Sequence, residues 1–243
     1  VWATRVGEVH QDEYGGPRGT PTVEGNLVFV LASEGTLVAL EAGVPGEPGV
    51  VIISGTGSIS YGRHTRNEGA RSGGWGYVLG DEGSGFWIGR AAIRAVLREA
   101  DQRGPRTTLT PLLLENFRVP AAQNLIHEVY QNNLQPAAIG SLARCVQTAF
   151  SEGDEASSGI LRGAADQLES SGVSVAKRLG LGGEPFPFIL AGGIFRAVPW
   201  LRDEMQRRLP LAVPGSTAQL LDREPAAGAV SFAIQEAKGG ARI

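Results

Sequence analysis

The chain has 243 residues, room for one large domain or two small ones. Lys and Arg number 22 against 25 Asp and Glu, so the formal charge of −3 offers no electrostatic attraction to nucleic acid or an anionic membrane. Apolar residues make up 42% and support a core, a single cysteine (Cys145) excludes an internal disulfide framework or a multi-Cys metal site, and no apolar run reaches the ~18 residues of a membrane span.

Glycine is the outlier, at 35 of 243 residues, about twice ordinary usage. The chain begins at Val1 without a charged-then-apolar leader, which reads as a fragment edge or a processed end.

The first forty residues read as β structure. After the turn signal Glu24-Gly25-Asn26, Leu27 to Leu31 form a short apolar run. A second turn, Ser33-Glu34-Gly35, leads to Thr36 to Leu40, and the two runs are expected to pair as a hairpin. Gly43 to Gly49 is a loop-like breaker and the expected domain boundary, dividing 1–42 from 43–243. Val50 to Ile53 is β-branched and reads as a buried strand running into Ser54-Gly55-Thr56-Gly57-Ser58, with a return strand over Ile59 to Gly62. Arg63 to Arg71 is polar, and Ser72-Gly73-Gly74-Trp75-Gly76 and Leu79-Gly80-Asp81-Glu82-Gly83-Ser84 follow.

Ser84 is placed to cap a helix carrying Trp87, Ile88, Ala91, Ala95 and Val96 on one side. Helical spacing recurs in Ile139, Leu142, Ala143, Val146, Ala149 and Phe150, and again in Ile160, Ala164, Leu168 and Val175. Phe188 to Ala191 reads as a buried strand ending at Gly192-Gly193, before a helix from about Pro199 to Leu209. Pro225 suits the first turn of a last helix through Ala237. Beyond residue 50 the chain is therefore α/β, with glycines gathered at strand ends.

Small-molecule sites in open α/β sheets lie at strand ends, and glycine there lets backbone amides approach a ligand. Gly55-Thr56-Gly57-Ser58 can be a phosphate cradle or an ordinary tight hairpin. Gly192-Gly193, taken alone, is more simply a strand-to-helix turn. Asp81 can favour the helix N-terminus electrostatically or accept a hydrogen bond from a substrate hydroxyl. Trp75 and Trp87 read first as packing residues, although glycines on both sides of Trp75 are unusual for that role. Cys145 reads as core. His127-Glu128 lacks a second histidine, because position 131 is Gln131, and His10, His64 and His127 are far apart, so no metal set is expected. Phosphate-loop, dinucleotide and nucleophile-elbow signatures are absent.

Val51-Ile52-Ile53-Ser54-Gly55-Thr56-Gly57-Ser58, Gly73-Gly74-Trp75-Gly76, Gly80-Asp81-Glu82-Gly83-Ser84 with Trp87-Ile88, Gly153-Asp154, and Ile189-Leu190-Ala191-Gly192-Gly193-Ile194-Phe195 together resemble the N-acetylglucosamine kinase and BadF/BadG/BcrA/BcrD ATPase family over residues 41 to 243. The resemblance implies an actin–hexokinase-like (ribonuclease H-like) lobe that binds ATP with Mg2+ and an amino sugar, in a cytoplasmic kinase. It implies phosphate contacts at Gly55, Thr56 and Gly57, adenosine contacts at Gly192 and Gly193, and amino-sugar contacts at Gly74, Trp75, Gly76 and Asp81. The family's first phosphate loop and catalytic aspartate have no counterpart, since the corresponding region reads Glu34-Gly35-Thr36. Impaired transfer is therefore expected, with a homodimer or a partner chain supplying the missing lobe, or else a non-catalytic nucleotide- or sugar-binding regulator. The dehydratase-activating branch, with its cysteine-held iron–sulfur cluster, does not suit a chain with Cys145 alone. Residues 1–42, through Val1-Trp2-Ala3, Gly16 to Val23 and Gly35 to Ala42, resemble one blade of a quinoprotein-like propeller, the basis of an alternative reading as a scaffold fragment.

Overall fold

A computed structural model describes residues 22–24, 27–29, 43–64, 69–131 and 134–222. Two short strands, β1 (Thr22–Glu24) and β2 (Leu27–Phe29), pair antiparallel across the Gly25-Asn26 turn, with Val23 opposite Val28. The expected strand at Leu27 is present, but it pairs with the residues before the turn. Its expected partner at 36–40 lies outside the described residues, as do the bulk of the propeller-like segment and the helix expected from Pro225.

The main sheet has five strands in the order β5-β4-β3-β6-β7. At its centre lies β3 (Gly49–Ser54), whose Val50, Val51 and Ile52 are fully buried. A three-residue turn returns the chain as β4 (Ser58–Arg63), and β5 (Gly69–Gly73) extends the antiparallel meander. A long helical crossover follows: α1 (Gly85–Ala100), α2 (Leu109–Phe117), α3 (Pro136–Ser141), α4 (Ala143–Ser151) and α5 (Glu155–Arg178). It delivers β6 (Phe186–Ala191) parallel to β3, with Val50 beside Phe188 and Ile53 beside Ala191. A second crossover, α6 (Gly193–Ala197) and α7 (Pro199–Ala212), places β7 (Ser216–Leu220) parallel to β6.

Alternation along the strands divides the core between two faces. Val50 and Ile52 join Phe188 and Leu190 on the face covered by α5, while Val51, Ile53, Ile189 and Ala191 face the other way with Val44. Close approach of α5 to the sheet depends on bare glycines: a methyl on Gly172 would stand 2.5 Å from Ile52 Cδ1, and one on Gly62 would stand 2.7 Å from Val175 Cγ1. Cys145 is half-buried against this core, and burial raises its thiol pKa.

Two strands escaped the sequence reading. β5 (GARSG) offers one buried apolar residue, Ala70, and β7 (STAQL) is polar at alternate positions. Both sit at sheet edges, where one-sided burial leaves little hydrophobic pattern.

Candidate active site

The glycine-rich segments at 55–57, 73–76 and 192–193 lie at one end of the sheet. β3 and β6 are parallel neighbours, so the turn after Ser54 and the turn after Ala191 emerge side by side. They touch: a methyl on Gly192 would stand 2.3 Å from the Ser54 carbonyl oxygen, and Gly192 has φ 104°. Only glycine fits that crossing. β5 runs antiparallel to β4 and ends at the same edge, where the Gly74 amide donates to the Ser58 carbonyl at 3.1 Å.

Residues 80–86 lock onto the 54–58 turn from below. Ser54 Oγ donates to the Gly83 carbonyl at 2.9 Å, and Ser58 Oγ donates to the Glu82 carbonyl at 2.8 Å. The first amides of α1 also point into the turn, Gly85 N to Gly55 O at 2.8 Å and Phe86 N to Thr56 O at 3.2 Å. Helix α1 is capped by Ser84 Oγ, which accepts from Trp87 N at 3.1 Å. The helix can start so close because Gly85 has no side chain: a methyl there would stand 2.8 Å from Ile194 Cδ1 and 3.1 Å from Gly55 O.

Asp81 lies at the centre of this arrangement. It is 8% exposed and has φ 58°, a left-handed conformation unusual outside glycine. Its carboxylate lies against Gly57, where a methyl would stand 2.6 Å from Oδ2. Burial pushes the Asp81 carboxyl above its ordinary range, the Ser58 amide hydrogen bond opposes that, and the Glu82 charge adds to it. The side chain accepts from Ser58 on β4, whereas Ser84 caps α1.

Thr56 is exposed at the tip of the turn, and nothing lies within 4 Å of where a methyl on Gly55 or Gly193 would go. The turn thus presents bare backbone to solvent, as Gly193 does, which lets a ligand approach the chain closely.

The model of the BadF/BadG/BcrA/BcrD ATPase family matches residues 20–233. The chain belongs to the BadF/BadG/BcrA/BcrD ATPase family. The match begins ahead of Gly43, so residues 20–42 of the propeller-like segment fall within it. The chain is 36% identical to an N-acetylmuramic acid/N-acetylglucosamine kinase of Clostridium acetobutylicum over 212 residues, covering 87% of this chain and 68% of that protein. It is 38% identical to an N-acetyl-D-glucosamine kinase of Dictyostelium discoideum over 207 residues, covering 83% of this chain and 64% of that one. A crystal structure from Chromobacterium violaceum, of a protein proposed to be an N-acetylglucosamine kinase, superposes with TM-score 0.65 at 27% identity, covering 81% of this chain and 63% of that chain. The chain therefore spans about two thirds of these relatives, and its sheet is the actin–hexokinase-like one.

Within this BadF-type lobe the structure brings together Gly55, Thr56, Gly57, Gly192, Gly193, Gly74 and Asp81. Trp75 departs from its expected packing role. It is 65% exposed on the 74–80 loop, with the Arg71 guanidinium 4.5 Å from its ring centre. Trp87, by contrast, is partly buried against the core. Gly73, Gly74 and Gly76 all have positive φ and turn the loop sharply around Trp75. Ser54 was missed as a site residue, although the pair of serines bracketing Gly-Thr-Gly is visible in the sequence. Asp154 proves structural. Its two oxygens accept from Ser157 N at 2.7 Å and Thr108 N at 2.9 Å, bracing α5 to the start of α2. Among the described residues no group of three His, Cys, Asp or Glu side chains could hold a metal, and no helix is long and apolar enough to cross a membrane.

Proposed function

We propose that this chain carries the nucleotide- and amino-sugar-binding face of an ATP-dependent N-acetylhexosamine kinase. The observation that carries the proposal is the meeting of Gly55–Gly57 with Gly192–Gly193 at the ends of two adjacent parallel strands, with buried Asp81 wedged against Gly57. In this assignment the ATP phosphates lie along Gly55, Thr56 and Gly57, adenosine lies at Gly192 and Gly193, and the sugar meets Gly74, Trp75, Gly76 and Asp81. The open backbone at Gly55 and Gly193 leaves room for the nucleotide, which brings Mg2+ on its phosphates to neutralise developing charge.

In the reaction a sugar hydroxyl oxygen bonds to the γ-phosphorus, the bond to the bridging oxygen breaks, and the hydroxyl proton passes to a base. The chain's own contribution is positioning, which supplies most of the acceleration in phosphoryl transfer. Asp81, fixed by the Ser58 amide, accepts from a sugar hydroxyl and orients the ring. The base is not among these residues, since no aspartate stands at Glu34-Gly35-Thr36. Assayed alone, the 243-residue chain is expected to bind both ligands and transfer phosphate slowly. Use of ATP fits a cytoplasmic location.

Titration calorimetry with N-acetylglucosamine and with a non-hydrolysable ATP analogue plus Mg2+ tests the assignment. Binding of both ligands, with sugar binding weakened at least tenfold in Asp81→Asn, supports it. Absence of heat from either ligand refutes it.

A further inference from the structure

Arg71 stands in the middle of edge strand β5, opposite Tyr61 of β4, and is exposed. Its guanidinium lies over the Trp75 ring, which fixes the cation beside the loop assigned above to the sugar. A second guanidinium is fastened nearby, because Arg178 at the end of α5 donates to the Arg71 carbonyl oxygen at 2.6 Å. Among the described residues neither Arg71 nor Arg178 forms an ion pair, whereas Arg103, Arg202, Arg207 and Arg208 all have carboxylate partners. Glu82 Oε2 would lie 3.5 Å from a methyl on Gly80.

An arginine that stays unpaired while stacked on an exposed tryptophan is a ready anion receptor. Its face is held by the ring, and its N–H edge is free for a bidentate partner. Trp75 connects it to the site, since the adjacent Gly74 is bonded to Ser58 and Ser58 holds Asp81. We infer that Arg71 is a specificity-determining residue that admits amino sugars bearing a carboxylate substituent, such as a 3-O-lactyl ether, with the carboxylate taken by the Arg71 guanidinium at the Trp75 rim. This inference rests on the amino-sugar assignment of the Trp75 loop.

The test compares N-acetylmuramic acid with N-acetylglucosamine, two sugars that differ by the lactyl carboxylate, by calorimetry on the wild type, Arg71→Ala and Arg71→Lys. The expected result is a loss of at least fivefold in affinity for N-acetylmuramic acid in Arg71→Ala, less than twofold for N-acetylglucosamine, and partial recovery in Arg71→Lys. Raising the salt concentration should weaken the acidic sugar selectively. Equal losses for both sugars, or no loss for either, overturn the role of Arg71. A wild type that binds N-acetylglucosamine but not N-acetylmuramic acid overturns this inference alone. Failure to bind either sugar overturns the amino-sugar assignment as well. Circular dichroism and thermal melts of both variants separate lost binding from lost folding.

Discussion

Gly192→Ala is the sharpest test of how the site is built. The new methyl would stand 2.3 Å from the Ser54 carbonyl oxygen, about 1.1 Å inside the 3.4 Å at which ordinary contact begins. Neither neighbour can yield easily. Ser54 ends the central strand, and its Oγ is committed to Gly83, while Gly192 follows directly on β6. Alanine must also adopt φ 104° and ψ 161°, a region used almost only by glycine and costing ~1–3 kcal/mol. Forcing two bonded strands apart adds ~1–3 kcal/mol of overpacking. The total is about 2–6 kcal/mol, which for a domain of this size lowers Tm by roughly 4–24 °C. Urea unfolding followed by tryptophan fluorescence measures it. Gly193→Ala is the control, since nothing lies within 4 Å of its added methyl and its φ is not positive, and it should change stability by less than ~1 kcal/mol. A Gly192→Ala loss below ~1 kcal/mol, or an equal loss in the control, would refute the claim that these two turns are in contact.

Asp81→Asn should alter the pH dependence of folding as well as sugar binding. The folded pKa of Asp81 is raised, so the native state binds its proton more tightly than the unfolded chain. Stability from this group therefore declines as pH rises from the ordinary carboxylate value of 3.8 through the folded value, and Asn abolishes that decline; chemical denaturation across the acidic range checks it. Asp154 behaves oppositely. Burial opposes its ionisation, but hydrogen bonds from Ser157, Thr107 and Thr108 prevail and lower its pKa, so its contribution is present above the ordinary carboxylate value and lost as pH falls through the folded value. Asp154→Ala removes partners from two helix starts and should cost about 2 kcal/mol, while Asp154→Asn keeps an acceptor for only one of the two amides and loses the pH dependence. Breaking the α5–α7 pairing of Arg208 with Asp166 and Glu169 by Arg208→Met should cost under ~1 kcal/mol and less in high salt, because Asp166 is exposed; melts at two salt concentrations measure it.

The elements legible in the sequence were those buried on more than one side. Val50 to Ile53 announces a central strand because β-branched side chains fill both faces of the sheet. Ser84 with Ile88 and Val96 announces a capped helix. The edge strands β5 and β7 left no comparable pattern, and β1 is only three residues long. The glycines at strand ends were legible as a cluster, but their partners were not. Asp81 and Gly57 are far apart in sequence and meet only because Ser54 and Ser58 stitch the 80–84 loop under the turn. The environment of Trp75 was likewise hidden, because the fixed distance to Arg71 arises from positive φ at Gly73 and Gly74, and a sequence displays the glycines without their dihedral angles.

The bonds from the start of α1 to the carbonyls of Gly55 and Thr56 have a thermodynamic consequence. A flexible glycine loop that closes on a phosphate must surrender its freedom at the moment of encounter, and affinity falls accordingly. Here the carbonyl side of the turn is already tethered to a sixteen-residue helix. The loop's ordering therefore belongs to the free energy of folding, and a nucleotide meets a receptor whose shape was decided beforehand. Occupation of this lobe by sugar and by nucleotide should accordingly be close to additive, leaving any cooperativity between them to whatever approaches from the opposite side of the cleft.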